Sequence, residues 1–216
     1  MKTAIDVDRF RRTRLSASPG EYDGSPQIAD RFVDLVPQRM NRFRASLASV
    51  LPFLGSINGA VETSTPFYPL TASLLREYAS PLEALASNIE WAPTDIAGGS
   101  GTLIVRMSDS TSLSKIGSAA VASSDVAELL LVRSDIFSGY LSTTHGAVAG
   151  SNAWLVEALG GAEARFLTMA AFGVLFAEDF DARIVGIECD AEPNLLEELE
   201  RIFESVGLQL IVNVRR

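Results

Sequence analysis

Apolar residues recur at helical spacing in the first quarter of the chain. Between Met40 and Leu51 they repeat every three or four positions, which predicts an amphipathic helix. Arg39 and Arg42 fall on the polar side of this helix and make it basic. The stretch 28–36 reads as a preceding helical piece that a proline ends.

The last third of the chain has the clearest pattern. Residues 153–159 and 162–177 predict helices interrupted by a pair of glycines. Arg183–Cys189 predicts a strand, the residues from Pro193 predict a helix that Gly207 ends, and residues 208–214 alternate as a second strand. Such a strand, helix and strand in one sheet normally form a right-handed parallel crossover.

The middle of the chain is less regular. Residues 102–107 predict a strand after a glycine-rich turn, and Ser80, Pro81 and Glu83 are typical of a capped helix start. The apolar run 126–132 fits either a helix or a buried strand. The pattern as a whole predicts an α/β fold, with a mixed α+β arrangement as the alternative, built from the C-terminal strand–helix–strand unit and several amphipathic helices.

Residues 1–27 differ in composition from the rest. They contain arginine, serine, glycine and proline with only scattered apolar side chains, too few to close a core. We therefore predict an extended basic N-terminal arm over 1–27. The remainder, 28–216, is predicted to be a single α/β body with a possible sub-boundary near 92–101.

Charge divides the chain in the same way. Its 216 residues carry a formal net charge of -9, but residues 1–50 contain 9 basic and 6 acidic side chains, whereas residues 51–216 contain 9 basic and 21 acidic ones. A basic arm and an acidic body can attract each other across two subunits. Nucleic acid is an unlikely partner because the acidic body repels phosphate.

The amino-acid composition limits the cellular location and the structural class that we expect for this protein. The hydrophobic fraction of 47% is that of a globular protein, and Cys189 is the single cysteine, so an intrachain disulfide is excluded. The first residues are charged rather than apolar, and the apolar run 166–177 is shorter than the ~18–20 residues of a membrane span. We expect a cytoplasmic protein, or a particle assembled in the cytoplasm, without a membrane partner.

Catalytic signals are weak. His145 is the single histidine and follows a run of hydroxyl side chains, so it could act as a general base. Ser112 and Lys115 have the spacing of a serine nucleophile and its lysine in penicillin-recognising enzymes, but the companion elements of that class are missing. A loop histidine and a chance spacing explain these residues better, and we expect no catalytic set.

Acidic residues cluster at two places that could bind a cation. Glu178, Asp179 and Asp181 follow one predicted helix, and Glu188, Asp190 and Glu192 cluster at the end of the strand that comes next. Their spacing differs from that of a calcium-binding loop, and acids near helix starts are common because they suit the helix dipole. We expect no metal and no cofactor.

One family resemblance involves the same acidic residues. The segment 184–190, with the helix and strand that follow, resembles the second strand of Rossmann-like methyltransferases, and Gly160-Gly161-Ala162-Glu163-Ala164 resembles their glycine loop. The resemblance implies that the acidic residue ending the strand, Glu188 or Asp190, would hold ribose hydroxyls. It covers about a quarter of the chain.

Two functional hypotheses follow. The first is a non-enzymatic structural subunit of a larger protein complex, such as a virion, tail or shell component. Its arm would bind neighbouring homo- or hetero-oligomeric subunits through basic residues: Arg9, Arg11, Arg12, Arg14, Arg39 and Arg42. The alternative is a small α/β enzyme, or a domain that binds a nucleotide or S-adenosylmethionine, with an acidic site at the end of the strand 183–189.

Overall fold

A computed structural model describes residues 1–78, 86–91, 96, 98–108, 125–143, 145–189 and 193–212. Within them one mixed sheet runs through the molecule, with helices packed on it. The strands are β1 Lys2–Val7, β2 Thr13–Ser18, β3 Asp30–Val33, β4 Glu62–Thr63, β5 Gly101–Ser108, β6 Val126–Arg133, β7 Tyr140–Thr143, β8 Gly146–Ser151, β9 Ala182–Ile187 and β10 Gln209–Val212. Their spatial order is β10-β9-β5-β6-β8-β3-β2-β1-β4, with β7 paired to β8. The predicted α/β fold class is confirmed.

The C-terminal half of the sheet is parallel. Strands β10, β9, β5, β6 and β8 pair with one another in parallel register. Alternate β5 residues Leu103, Val105 and Met107 are buried, and their neighbours along the strand are half-buried. The period of two arises because successive strand side chains point to opposite faces of the sheet.

The N-terminal half of the sheet is antiparallel except at its edge, where β4 pairs with β1 in parallel. Strands β1 and β2 form a hairpin, β2 pairs with β3, and β3 meets β8 at the single pair Val33 and Ser151. Side chains reinforce this junction. Asn152 accepts a hydrogen bond from the Phe32 amide at 2.8 Å and donates one to the Asp30 carbonyl at 2.9 Å.

Four helices are described: α1 Arg42–Val50, α2 Pro69–Tyr78, α3 Ala153–Phe176 and α4 Pro193–Glu204. A short 3₁₀ helix, Leu51–Ser56, extends α1. Helix α3 packs on β5 and β9 and also against α1, while α4 packs on β10 and α2. Asn41 caps α1 by accepting hydrogen bonds from the amides of Phe43 and Arg44.

Several sequence predictions are confirmed. The C-terminal unit is β9, α4 and β10 with parallel strands, and Gly207, at φ 70°, ends the helix in the left-handed conformation that glycine favours. Helix α3 is kinked at Gly161, which has φ 79° and ψ -174°. The helical piece predicted over 28–36 is wrong, because residues 30–33 form β3 between β2 and β8. Ser80, Pro81 and Glu83 lie outside the described residues.

Residues 1–27 are extended, but the structure differs from the expectation of an arm outside the body. Thr13, Leu15 and Ala17 are buried on one side of β2 and alternate with more exposed side chains. Met1 and Thr3 are buried as well, and β2 is hydrogen-bonded to β1 on one side and to β3 on the other. The segment predicted as an arm therefore contributes two strands to the sheet.

Helix α3 is long and apolar enough to cross a membrane by length and composition. Its second half, 166–176, is almost fully buried against the sheet and α1. Gly173 allows this close packing, because a Cβ there would overlap Val185 Cγ1 and lie 3.3 Å from Val105 Cγ2. Within this fold, α3 is the central core helix.

Candidate functional site

The turn between β1 and β2 is a compact loop organised by Asp8. The Asp8 carboxylate accepts hydrogen bonds from the Phe10 amide at 2.8 Å and the Arg12 amide at 3.1 Å, and it pairs with Arg12 Nη2 at 2.7 Å. Burial raises the pKa of Asp8, but the hydrogen bonds from Arg12 and Phe10 outweigh that effect, so the pKa lies below its usual value. The turn is held most firmly when Asp8 is ionised.

This turn holds an aromatic ring in solvent. Phe10 is 62% exposed, with the Arg9 and Arg12 guanidinium carbons 4.8 Å and 5.0 Å from the ring centroid. Arg11 follows in the left-handed conformation at φ 60°, which is uncommon for a side chain other than glycine, asparagine or aspartate. The turn therefore presents an exposed ring surrounded by positive charge.

Arg11 and Arg39 line the same cavity, which has a volume of about 510 Å³. It lies where β8 separates from the N-terminal half of the sheet, so its walls come from the hairpin turn, the segment after β3, β7, β8 and the segment before β9. The full set of lining residues is Arg11, Leu35, Val36, Gln38, Arg39, Tyr140, Ser142, Ala147, Asp179 and Phe180. We call this space the Arg11/Arg39 cavity.

Asp179 fixes the position of Arg39. Its carboxylate accepts hydrogen bonds from the backbone amides of Gln38 and Arg39, the shortest at 2.7 Å, and Arg39 Nη2 donates to the Asp179 carbonyl at 3.2 Å. The carboxylate is thus used to hold a loop. The sequence hypothesis of a cation site at this acidic cluster gains no geometric support, since no metal-holding group of three such side chains occurs in the described ranges.

The other arginines predicted to bind a partner are engaged within the subunit. Arg12 pairs with Asp8, Arg14 with Asp30 at 2.7 Å, and Arg42 with Glu90 at 2.7 Å. Among the described residues, no ion pair involves Arg9, Arg11 or Arg39. The predicted set of six therefore divides into three that stabilise the subunit and three that leave a charge available at its surface.

Of the catalytic candidates, the structure describes His145 alone. His145 is half-buried just before β8, and its backbone carbonyl accepts a hydrogen bond from the Glu128 amide at 2.9 Å. No hydrogen bond joins its imidazole to a hydroxyl in the part of the chain that the structure describes. Ser112 and Lys115 lie outside the described residues.

Glu188 lies at a position where α/β sheets often bind ligands. In chain order the parallel strands progress from β5 through β6 to β8, then continue on the other side of β5 with β9 and β10. The strand order reverses between β5 and β9, and ligands commonly bind beyond the carboxyl ends of strands at such a point. Glu188 directly follows β9, but its carboxylate is bonded to Arg106 of β5. Asp190 lies outside the described residues.

Arg106 is shared by two carboxylates. Besides Glu188, it reaches Glu128 of β6, with Nη1 3.1 Å from Glu128 Oε1. Hydrogen bonding to Glu188, and also to Glu128, raises the pKa of Arg106 against the effect of burial. This three-residue bridge links β9, β5 and β6, and it occupies Glu188, one of the two carboxylates that the resemblance would assign to ribose.

The topology contradicts the methyltransferase resemblance in two ways. Strand β9 is the fourth parallel strand in chain order and lies between β5 and β10, whereas the resemblance makes it a second strand. Gly160 and Gly161 lie within α3, not in a loop between a strand and a helix. The glycine run 98–101 also has a structural explanation, because the Ser100 and Gly101 amides both donate to the Asp181 carbonyl at 2.9 Å.

Sequence reasoning missed several residues of the Arg11/Arg39 cavity. Tyr140, which is 57% exposed, and Ser142 come from β7, a strand that the serine- and threonine-rich composition concealed. The segment 140–143 has two apolar residues followed by two polar ones, so it lacks the alternation that would have predicted a strand.

No protein-family model matches the chain, and neither a curated protein nor a solved structure is found to be similar to it. Its function is therefore inferred from its own residues and geometry.

Proposed function

We propose that this protein is a non-enzymatic assembly subunit that binds a neighbouring protein through its N-terminal hairpin turn and the adjacent Arg11/Arg39 cavity. The observation that carries the proposal is the convergence of Arg11 and Arg39, both outside the ion pairs of the described residues, on one cavity. Exposed Phe10 and Tyr140 add aromatic surface on the turn and in the cavity. Aromatic residues and arginine are the side chains most enriched at protein interfaces.

The chemistry of the surface favours an acidic partner. Two guanidinium groups attract carboxylates and can bind them in bidentate fashion. The chain itself has an acidic surface on α4. Four glutamate side chains are exposed there: Glu197, Glu198, Glu200 and Glu204. Arg201 of the same helix pairs with Glu77 of α2 at 3.3 Å.

A second copy of the chain is therefore the partner we propose. Helix α4 packs on β10 at one end of the sheet, and the hairpin lies towards the other end. Contact between the hairpin of one copy and α4 of the next joins two different surfaces. Such a head-to-tail contact builds a ring if the rotation closes, or a filament if it does not.

The test compares native masses by light scattering and native mass spectrometry. The double variant Arg11→Glu and Arg39→Glu should remain folded and become monomeric at concentrations where the wild type assembles. A matched control is the double variant Arg76→Glu and Arg183→Glu, which reverses two exposed arginines elsewhere and should assemble normally. A wild type that is monomeric at all concentrations contradicts the proposal, as does equal loss of assembly in both variants.

A charge exchange identifies the acidic surface. The variant Glu197→Lys and Glu200→Lys should also fail to assemble alone, but should assemble when mixed with Arg11→Glu and Arg39→Glu, because each copy then offers the charge that the other lacks. Raised salt should weaken the wild-type contact, since exposed charges are screened over about 8 Å at physiological ionic strength. Failure of the mixture to assemble would exclude α4 as the partner surface.

A second candidate function is ligand binding at the strand-order reversal, and the position of Glu188 beyond β9 favours it. A ligand there would have to compete with Arg106 for the Glu188 carboxylate. Thermal unfolding with S-adenosylmethionine or nucleotides tests this alternative, because a ligand that binds the folded state raises Tm. An unchanged Tm with all of them would count against it.

A further inference from the structure

Arg31 is a buried cation that forms no ion pair with a carboxylate of the described residues. It lies in β3, is 4% exposed, and its Nε has no hydrogen-bond partner. Nη1 donates to the Ile28 carbonyl, and the guanidinium carbon lies 5.3 Å from the centroid of the Phe53 ring. Among the described residues it forms no ion pair, because neighbouring Asp30 pairs with Arg14 instead.

This arrangement is energetically unusual. Burial lowers the pKa of Arg31 and outweighs the opposite effect of the Asp30 charge, so the pKa is about 10 and the side chain is still a cation at neutral pH. A buried charge without a counter-ion is costly, and buried charges in proteins are normally paired. Since Arg31 has no direct ion pair among the described residues, we look for its anion outside the chain.

Arg31 lines a cavity of about 330 Å³, which is within the size range of small-molecule sites. The wall opposite the 3₁₀ helix Leu51–Ser56 comes from α3 and includes Gly160, Glu163 and Ala164. This cavity shares no lining residue with the Arg11/Arg39 cavity. We call it the Arg31 cavity.

The kink in α3 supplies a second anion-binding feature. Gly161 has non-helical dihedral angles, so a new helical segment of more than three turns begins after it and continues to Phe176. The first amides of a helix have no acceptor in a preceding turn, and the helix dipole favours negative charge there. Glu163 and Ala164, which line the Arg31 cavity, belong to this first turn.

We propose that the Arg31 cavity binds a small oxyanion, a phosphate or carboxylate group, with Arg31 as its buried cationic partner. Phe53 holds the guanidinium plane, and the first turn after Gly161 offers backbone N–H donors. Glu163, whose side chain is exposed, is the one acidic residue of the cavity lining and opposes an anion at its mouth. Binding at this site is independent of the assembly function proposed above.

The experiment measures Tm and calorimetric binding of the full chain with sodium phosphate and, separately, sodium acetate, against sodium chloride at equal ionic strength. A bound anion at ten times its Kd should raise Tm by about 3–6 °C for a chain of this length. The stronger of the two responses distinguishes phosphate from carboxylate chemistry. Equal Tm in all three salts would overturn the proposal.

Three variants localise the effect. Arg31→Met should abolish the response, whereas Arg201→Met, which removes an exposed arginine of α4, should preserve it. Loss of a buried arginine can impair folding, so Gly55→Trp provides an independent block: Gly55 lines the cavity and a Cβ there meets no atom within 4 Å. An anion response that persists in folded Gly55→Trp would contradict the proposed location.

The Glu163→Gln variant should change the anion affinity in the opposite direction to Arg31→Met. Removing this exposed negative charge should strengthen anion binding by about two- to fivefold, the range of one partly screened charge pair. Its side chain is exposed, so the substitution should leave Tm in chloride nearly unchanged. Weaker or unchanged anion binding in Glu163→Gln would contradict the arrangement we propose.

Discussion

Arg12 Nη2 lies 2.7 Å from Asp8 Oδ2, and this ion pair closes the hairpin turn whose tip carries Phe10 and Arg11. The same carboxylate also accepts two backbone amides of the turn. Asp8 therefore determines how the proposed binding residues are presented, although its own side chain is directed to the turn.

Replacing Asp8 with asparagine should loosen the turn without unfolding the sheet. The variant retains a side-chain acceptor but loses the charge that binds Arg12, so the tip samples more conformations. We expect assembly to weaken by about fivefold or less, as for an exposed ion pair. The concentration dependence of mass by light scattering measures this change. Asp6→Asn, at an exposed position of β1, is the control and should assemble as the wild type does.

Asp23 predicts a specific dependence of stability on pH. Burial raises the pKa of Asp23. Hydrogen bonds from the Met1 amino group and from the Asn58 and Gly20 amides lower it by a larger amount, so the folded pKa lies below the usual 3.8. A carboxyl group with a depressed folded pKa stabilises the protein above its unfolded pKa, and this contribution is lost as pH falls through the folded value. The difference in Tm between the wild type and Asp23→Asn should therefore be constant above about pH 5 and shrink below pH 3.8.

Thermal unfolding from pH 7 down to pH 2.5 checks this prediction. Near neutral pH, Asp23→Asn should lose about 1–2 kcal/mol, the scale of hydrogen bonds to a charged group. A Tm difference that grows on acidification would show the opposite sign of linkage and contradict the structure.

Gly173→Ala should destabilise the central core. The added methyl group would overlap Val185 on the sheet, and forcing an extra methyl group into a packed core costs about 1–3 kcal/mol. Gly59→Ala is a matched control, because a Cβ at Gly59 meets no atom within 4 Å. Urea unfolding of the two variants measures the difference, and equal midpoints would mean that α3 packs less closely on β9 than described.

Asn152→Ala should weaken the junction between the two halves of the sheet. It leaves the Phe32 amide and the Asp30 carbonyl without their partner, at a cost of about 1–3 kcal/mol for a buried polar group. Hydrogen exchange should accelerate at β3 more than at β5. The control Gln209→Ala, at an exposed position of β10, should leave both rates unchanged.

The elements predicted best from the sequence are those whose apolar residues recur regularly and are buried in the fold. Helix α4 has a clear apolar stripe and a glycine stop, and α3 is almost continuously apolar up to its end, so local pattern and tertiary burial agree. The pattern wrongly predicts a helix at β3, because its four residues give only two cycles of strand alternation, too few to distinguish a strand from a helix. Short strands are defined by their partners, which a single sequence does not display.

The candidate sites were predicted in part. The uneven distribution of charge predicts Arg11 and Arg39 as binding residues. Their convergence on one cavity depends on the strand order, which places the hairpin beside β7 and the segment before β9. The sequence does not predict Arg31 as a site residue, because its burial cannot be recognised from the neighbouring residues. Its significance comes from its burial and from the lack of an ion pair with any described residue.

The one-pair junction between β3 and β8 has a consequence for biosynthesis. A ribosome releases the amino-terminal hairpin long before Ser151 and Asn152, which complete its attachment, have been translated. During that interval the open edge of β3 is a template for any passing strand, including the same edge on another nascent copy. When several ribosomes translate one messenger RNA, pairing of β3 with β8 of the same chain therefore competes with exchange of hairpins between neighbouring chains.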